Sequence, residues 1–216
     1  FSRMRIPLAF VVVLVFVSGC AQQMAQPSTA VELDDGDVFQ LSAGVVTKEL
    51  GGQQQRMYGY NGQIPGPLLK VQKGSRVTVD FTNDIDQATT IHWHGLRHDN
   101  KNDGVPGVTQ EPGEPGDHFT YQLAFPDEGL FWYHPHLRED LQQDLGLAGT
   151  ILVSDPVGTY HDNVNREDVL VLDDVLLIDD SPRDNSLFPH GKEHATFALM
   201  GRFGNLLLVN GETSTT

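Results

Sequence analysis

Arg76-Val77-Thr78-Val79-Asp80-Phe81-Thr82-Asn83 alternates apolar and polar residues, setting Val77, Val79 and Phe81 on one face of an extended strand and Thr78, Asp80 and Thr82 on the other. A period of two argues against a helix. Short stretches of the same kind recur on both sides, separated by glycine and proline. Upstream, residues 38–50 and 53–60 flank Gly51-Gly52, a two-residue hairpin signal. Downstream, residues 89–94, 118–125, 130–134 and 148–154 read as further strands, and no amphipathic helix of normal length intervenes. About seven strands between residues 31 and 155 predict an all-β, antiparallel sandwich or barrel. Asp155-Pro156-Val157-Gly158 reads as a domain boundary. Beyond it, residues 167–178 and 205–209 are again strand-like, separated by a Pro- and Asp-containing loop. Residues 156–216 are too few for a second sandwich of the same size, so we read them as the start of a second domain, cut short.

The first twenty residues differ in kind. Arg3 and Arg5 precede an apolar run from Ile6 to Val17, too short to cross a bilayer but suited to a secretory signal. The run ends in Val17-Ser18-Gly19-Cys20, which looks like a bacterial lipobox, with Cys20 as the lipid-modified first residue of the exported protein. Residues 1–20 are therefore expected to be a lipoprotein-type signal and 21–30 a polar tether. The expected location is the periplasm or cell envelope, with the membrane touched only through the lipid. The chain carries a formal charge of −15, and loss of the signal removes two basic residues and no acidic ones. Such a surface repels nucleic acid, so no DNA or RNA partner is expected. Cys20 is the single cysteine, which leaves no disulfide within the chain.

Four histidines come in two pairs, His92-Trp93-His94-Gly95 and Trp132-Tyr133-His134-Pro135-His136. Residues i and i+2 of a strand share a face, which places the two imidazoles of a pair about 6 to 7 Å apart at the backbone. Neutral imidazole suits copper, zinc, iron or nickel, whereas calcium and magnesium want oxygen donors. A mononuclear zinc site is physically compatible with the same pairs. His98, His118, His161, His190 and His194 stand alone in polar surroundings and read as solvated. Trp93 and Trp132 read as core aromatics beside the pairs. Met24, Met57 and Met200 have no neighbouring His and Cys, so none reads as an axial copper ligand.

The two histidine pairs, with Asp103-Gly104, Thr109-Gln110, Pro115-Gly116 and the earlier Tyr60-Asn61-Gly62-Gln63-Ile64-Pro65-Gly66-Pro67, resemble the first cupredoxin domain of multicopper oxidases, the group of laccases, bilirubin oxidases and copper-efflux oxidases. The likeness runs from about residue 38 to 155, and Leu207-Leu208-Val209-Asn210-Gly211 resembles a second-domain segment. It implies a cupredoxin-like Greek-key sandwich followed by an incomplete second cupredoxin-like domain. It also implies that His92 binds the type 2 copper of a trinuclear cluster, that His94 and His134 bind one type 3 copper, and that His136 binds the other. Asp103 would pass protons to dioxygen as it is reduced to water; read from its residues alone, it is equally a turn-forming Asp before Gly104.

The resemblance departs in one respect. The family takes electrons at a type 1 copper held by Cys and His and completes its cluster with His-x-His pairs of a C-terminal cupredoxin domain, whereas here neither a cysteine nor a further His-x-His pair follows His136. We therefore expect the chain to be the N-terminal part of a longer oxidase and inactive alone. The alternative is a non-enzymatic copper-binding envelope lipoprotein serving copper tolerance. The expected parent couples one-electron oxidation of a phenol, aromatic amine or metal ion to reduction of dioxygen to water. A zinc hydrolase is the poorer reading, for want of a general base beside the pairs.

Overall fold

The computed structural model describes residues 23–155, 164–177 and 204–213. The lipobox-like segment, His161, His190, His194 and Met200 lie outside them. The strands are β1 (Ala30–Leu33), β2 (Val38–Leu50), β3 (Gln53–Tyr60), β4 (Leu68–Gln72), β5 (Arg76–Asp84), β6 (His92–His94), β7 (His118–Ala124), β8 (Gly129–His134), β9 (Gly149–Ser154), β10 (Leu172–Val175), β11 (Leu206–Val209) and β12 (Glu212–Thr213). A 3-10 turn at Asn100–Asn102 and a single helical turn, α1 (Glu139–Gln142), are the helical elements among the described residues. The all-β expectation holds.

Two sheets make the sandwich, one ordered β3-β2-β5-β7 and the other β1-β4-β9-β8-β6. The alternating residues of β5 do as their period requires: Val77, Val79 and Phe81 are buried between the sheets with Leu41, Leu69, Ile91, Trp93, Tyr121, Tyr133 and Ile151. Pairing is mixed, which corrects the antiparallel expectation. β5 runs parallel to β2, β4 parallel to β9 and β1 parallel to β4. The reason is the crossover: after the β2–β3 hairpin the chain crosses to the opposite sheet as β4, and returns as β5 on the free edge of β2.

β2 serves two cores. Leu41 and Ala43 face the sandwich, while Val46 and Leu50 turn to a second apolar cluster with Met57, Ile64, Val175 and Leu208. That cluster lies under the three-stranded sheet β10-β11-β12. Lys48, on the same stretch of β2, is buried and ion-pairs with Glu212 at 3.0 Å. The expected tether is docked from its third residue. Ala25 N donates to Thr47 O, Thr47 N to Gln23 O, and Gln26 N to Gly62 O, each at 2.8 Å. Polar side chains did not keep this segment free, because its backbone finds partners beside β2 and in the turn after β3.

Candidate metal centre

β6 and β8 are antiparallel neighbours in register His92↔His134, Trp93↔Tyr133, His94↔Trp132. The strand period therefore sends Trp93 and Tyr133 into the core, where both are fully buried, and places His92, His94, Trp132 and His134 together on the other face. The two tryptophans thus differ. Trp93 packs edge-on against Tyr121, with centroids 5.4 Å apart. Trp132 belongs to the histidine face, stacked on His134 at 3.9 Å and against His94 at 4.9 Å.

Side-chain bonds fix the approach of the two segments. Gln142 of α1 donates to Ala88 O at 2.8 Å and accepts from Thr89 Oγ1 at 2.7 Å, tying the turn after β8 to the entry of β6. Ile91 N donates to the hydroxyl of Tyr121, so the ladder of β6 begins only at His92, two to three residues later than its apolar pattern suggests. Gly104 closes the loop above: its φ is +73°, and a Cβ there would stand 1.7 Å from Ile91 O. No other residue fits so near the strand.

One ring nitrogen each of His92, His94 and His134 lies within 4.8 Å of the other two. Backbone acceptors orient two of the rings. His92 Nδ1 lies 2.8 Å from Asp103 O and His134 Nδ1 2.8 Å from Pro135 O, so each Nδ1–H donates outward and leaves Nε2 as the lone-pair donor. His94 Nδ1 and His134 Nε2 are 3.2 Å apart. Burial pushes the His134 imidazole down to about 4, which keeps it neutral, the form that ligates a metal. His136 is placed at the rim. Its ring centroid is 5.2 Å from that of His92, and its Nδ1 meets Glu139 Oε1 at 3.1 Å. Three imidazole nitrogen donors, two of them in rings oriented by backbone acceptors, with no carboxylate in the first set, fit copper or zinc and not a hard cation.

Asp103 caps the 3-10 turn, its N–H donating to Asn100 O at 3.0 Å. Its carboxylate also reaches the site, with Oδ1 3.4 Å from His92 Nδ1. Turn former and site neighbour are the same residue. His98 departs from its solvated reading: its side chain is 2% exposed and its Nε2 lies 3.5 Å from Asp103 Oδ1. The charged flanks Arg97 and Asp99 hid this in the sequence; the one signal was its place in the loop joining His94 to Asp103. His118 is exposed as expected, beside Thr82 Oγ1. Met57 is buried in the second cluster, among Val46, Leu50, Ile64, Val175 and Leu208.

A family model described as multicopper oxidase matches residues 43–158. Copper resistance protein A of Pseudomonas syringae pv. tomato is 36% identical over 129 residues, covering 60% of this chain and 21% of its own length. Multicopper oxidase MmcO of Mycobacterium tuberculosis is 38% identical over 126 residues, covering 58% of this chain and 24% of its own. Among solved structures, a multi-copper oxidase from Pseudomonas thermotolerans superposes with a TM-score of 0.72 at 33% identity, over 86% of this chain and 42% of that one. The matched region thus spans about a fifth to a quarter of these curated relatives.

Proposed function

The chain belongs to the multicopper oxidase family, and on that premise we propose that it supplies one side of a copper cluster in an enzyme coupling one-electron oxidation of a substrate to the reduction of dioxygen to water. The observation that carries this reading is the convergence of three imidazole nitrogens within 4.8 Å on one strand face. His92 would hold the type 2 copper through the nitrogen that Asp103 O leaves free. His94 and His134 would share one type 3 copper, a division supported by their 3.2 Å approach, and His136 would hold the other. Bound copper supplies reversible electron storage and dioxygen binding, not Lewis-acid hydrolysis.

The chain's own residues perform the remaining tasks. Backbone carbonyls of Asp103 and Pro135 hold two rings in the ligating tautomer. Trp132 stacks on His134 and keeps water from one face of its ring. The Asp103 carboxylate, half in and half out of solvent, would carry a proton inward at Oδ1. A phenol, aromatic amine or metal ion is the proposed reductant, and histidines and a cysteine of a C-terminal cupredoxin domain would complete the cluster and the electron entry site. Export with a lipid at Cys20 is part of the same reading; among the described residues no helix is long and apolar enough to cross a membrane. Family membership favours the oxidase over a non-enzymatic copper-binding lipoprotein.

The test is the stoichiometry of oxygen uptake by the native protein with a phenolic reductant. One dioxygen consumed per four one-electron oxidations, without hydrogen peroxide, is expected. Absence of oxygen uptake by copper-loaded protein, or peroxide as the product, would refute the proposal.

A further inference from the structure

His98 is anomalous. Arg97 and Asp99 on either side extend into solvent, with side chains 75% and 61% exposed, yet the imidazole between them is enclosed. Among the described residues neither of its ring nitrogens finds a hydrogen-bond partner within ordinary length. A buried polar group left without a partner costs about 1–3 kcal/mol, so the position would be better filled by an apolar side chain if packing were its purpose. The nearest charged oxygen is Asp103 Oδ1, 3.5 Å from Nε2, slightly beyond ordinary hydrogen-bond length. The same oxygen lies 3.4 Å from His92 Nδ1. One carboxylate oxygen therefore sits between an imidazole of the cluster face and an imidazole sealed beneath the loop.

We propose that His98 is a positioning residue, whose Nε2–H donates to Asp103 Oδ1 and holds that carboxylate against His92. The inference rests on the reading of His92 and Asp103 given above. The backbone of Asp103 is already held, by its N–H to Asn100 O and by its carbonyl to His92, whereas among the described residues its carboxylate has only the two longer approaches, to His92 at 3.4 Å and to His98 at 3.5 Å. With 31% of its side chain exposed, it is free to swing to water unless a second donor retains it. His98 is that donor, and burial, which lowers its pKa, keeps the ring neutral with a single N–H to give. Ligand-orienting partners of this kind typically contribute 10- to 100-fold to metal affinity or activity.

The experiment compares His98→Leu, which keeps the bulk and removes the donor, with His98→Gln, which keeps a donor at similar reach. In copper-free native protein, ring nitrogen-15 spectra are expected to show His98 protonated at Nε2, and the His92 Nδ1 signal is expected to move in His98→Leu and return in His98→Gln. In the copper-loaded native protein, His98→Leu is expected to lower kcat about tenfold with KM and copper content unchanged, and His98→Gln to recover most of it. A His98 ring protonated at Nδ1, or a His92 signal unmoved in His98→Leu, would overturn the proposal. The spectra are read without metal, so a protein that bound no copper would refute the cluster reading while the His98–Asp103 contact was still decided.

Discussion

His94 Nδ1 and His134 Nε2 lie 3.2 Å apart across adjacent strands, although forty residues separate them in the chain. Two imidazole nitrogens that close share either a proton or an ion. Replacing both by alanine should therefore weaken copper binding by more than the roughly 100-fold that loss of an outer partner can cost. Copper analysis of the native protein and the double variant after dialysis checks this. Equal copper content in the two would show that the ion sits elsewhere.

Acid should loosen the copper-free fold through His134. Its folded pKa of about 4 lies below the ordinary histidine value, so the unfolded chain binds the proton more readily. The stability this contributes is complete above about pH 6.5 and is lost as pH falls through about 4, by on the order of 3 kcal/mol at most. Denaturant unfolding at a series of pH values measures the loss, and a nitrogen-15 titration assigns it. A His134 titrating near 6.5 would contradict the burial argument.

Trp132 shields that same ring from one side. Trp132→Ala should raise the His134 pKa toward its ordinary value and weaken copper binding about tenfold. The titration and a copper competition assay give the two readings, and a variant with an unmoved His134 pKa would mean that the strands alone do the shielding.

Much of the fold was legible because β5 carries strict alternation and β2 and β3 flank a Gly-Gly turn. β1 and β4 escaped notice for physical reasons: each is four or five residues long, and β4 follows the run Ile64-Pro65-Gly66-Pro67, which reads as punctuation. Parallel pairing escaped too, since it depends on the chain crossing between sheets and leaves no local mark. In the site, the spacing of the histidine pairs announced their shared face. The burial of His98 and the reach of Asp103 depend on how residues 95–104 fold over the strand, which nearby charges disguise.

Gly104 is where that loop tolerates no side chain. Gly104→Ala would put a Cβ against Ile91 O in a left-handed backbone, and should cost upwards of about 1–3 kcal/mol while displacing Asp103 from His92. Thermal unfolding and copper affinity should fall together. A variant that melts with the native protein would mean that the loop can stand further from β6.

Lys48 and Glu212 join β2 to the small sheet with unequal exposure, 7% against 66%. Glu212→Ala leaves a buried ammonium without its partner and should destabilise by about 1 kcal/mol, the pair being open to water on one side. Lys48→Met should be neutral or stabilising. Denaturant midpoints of the two variants decide it; the reverse order would mean that the bridge itself holds the sheet.

The most direct measurement is a crystal structure of the copper-loaded native protein with anomalous data collected at the copper absorption edge. Peaks within bonding distance of His92 Nε2, of His94 and His134 together, and of His136 are expected. Strong copper peaks with none at these four rings would contradict the assignment of this face as one side of a multicopper centre.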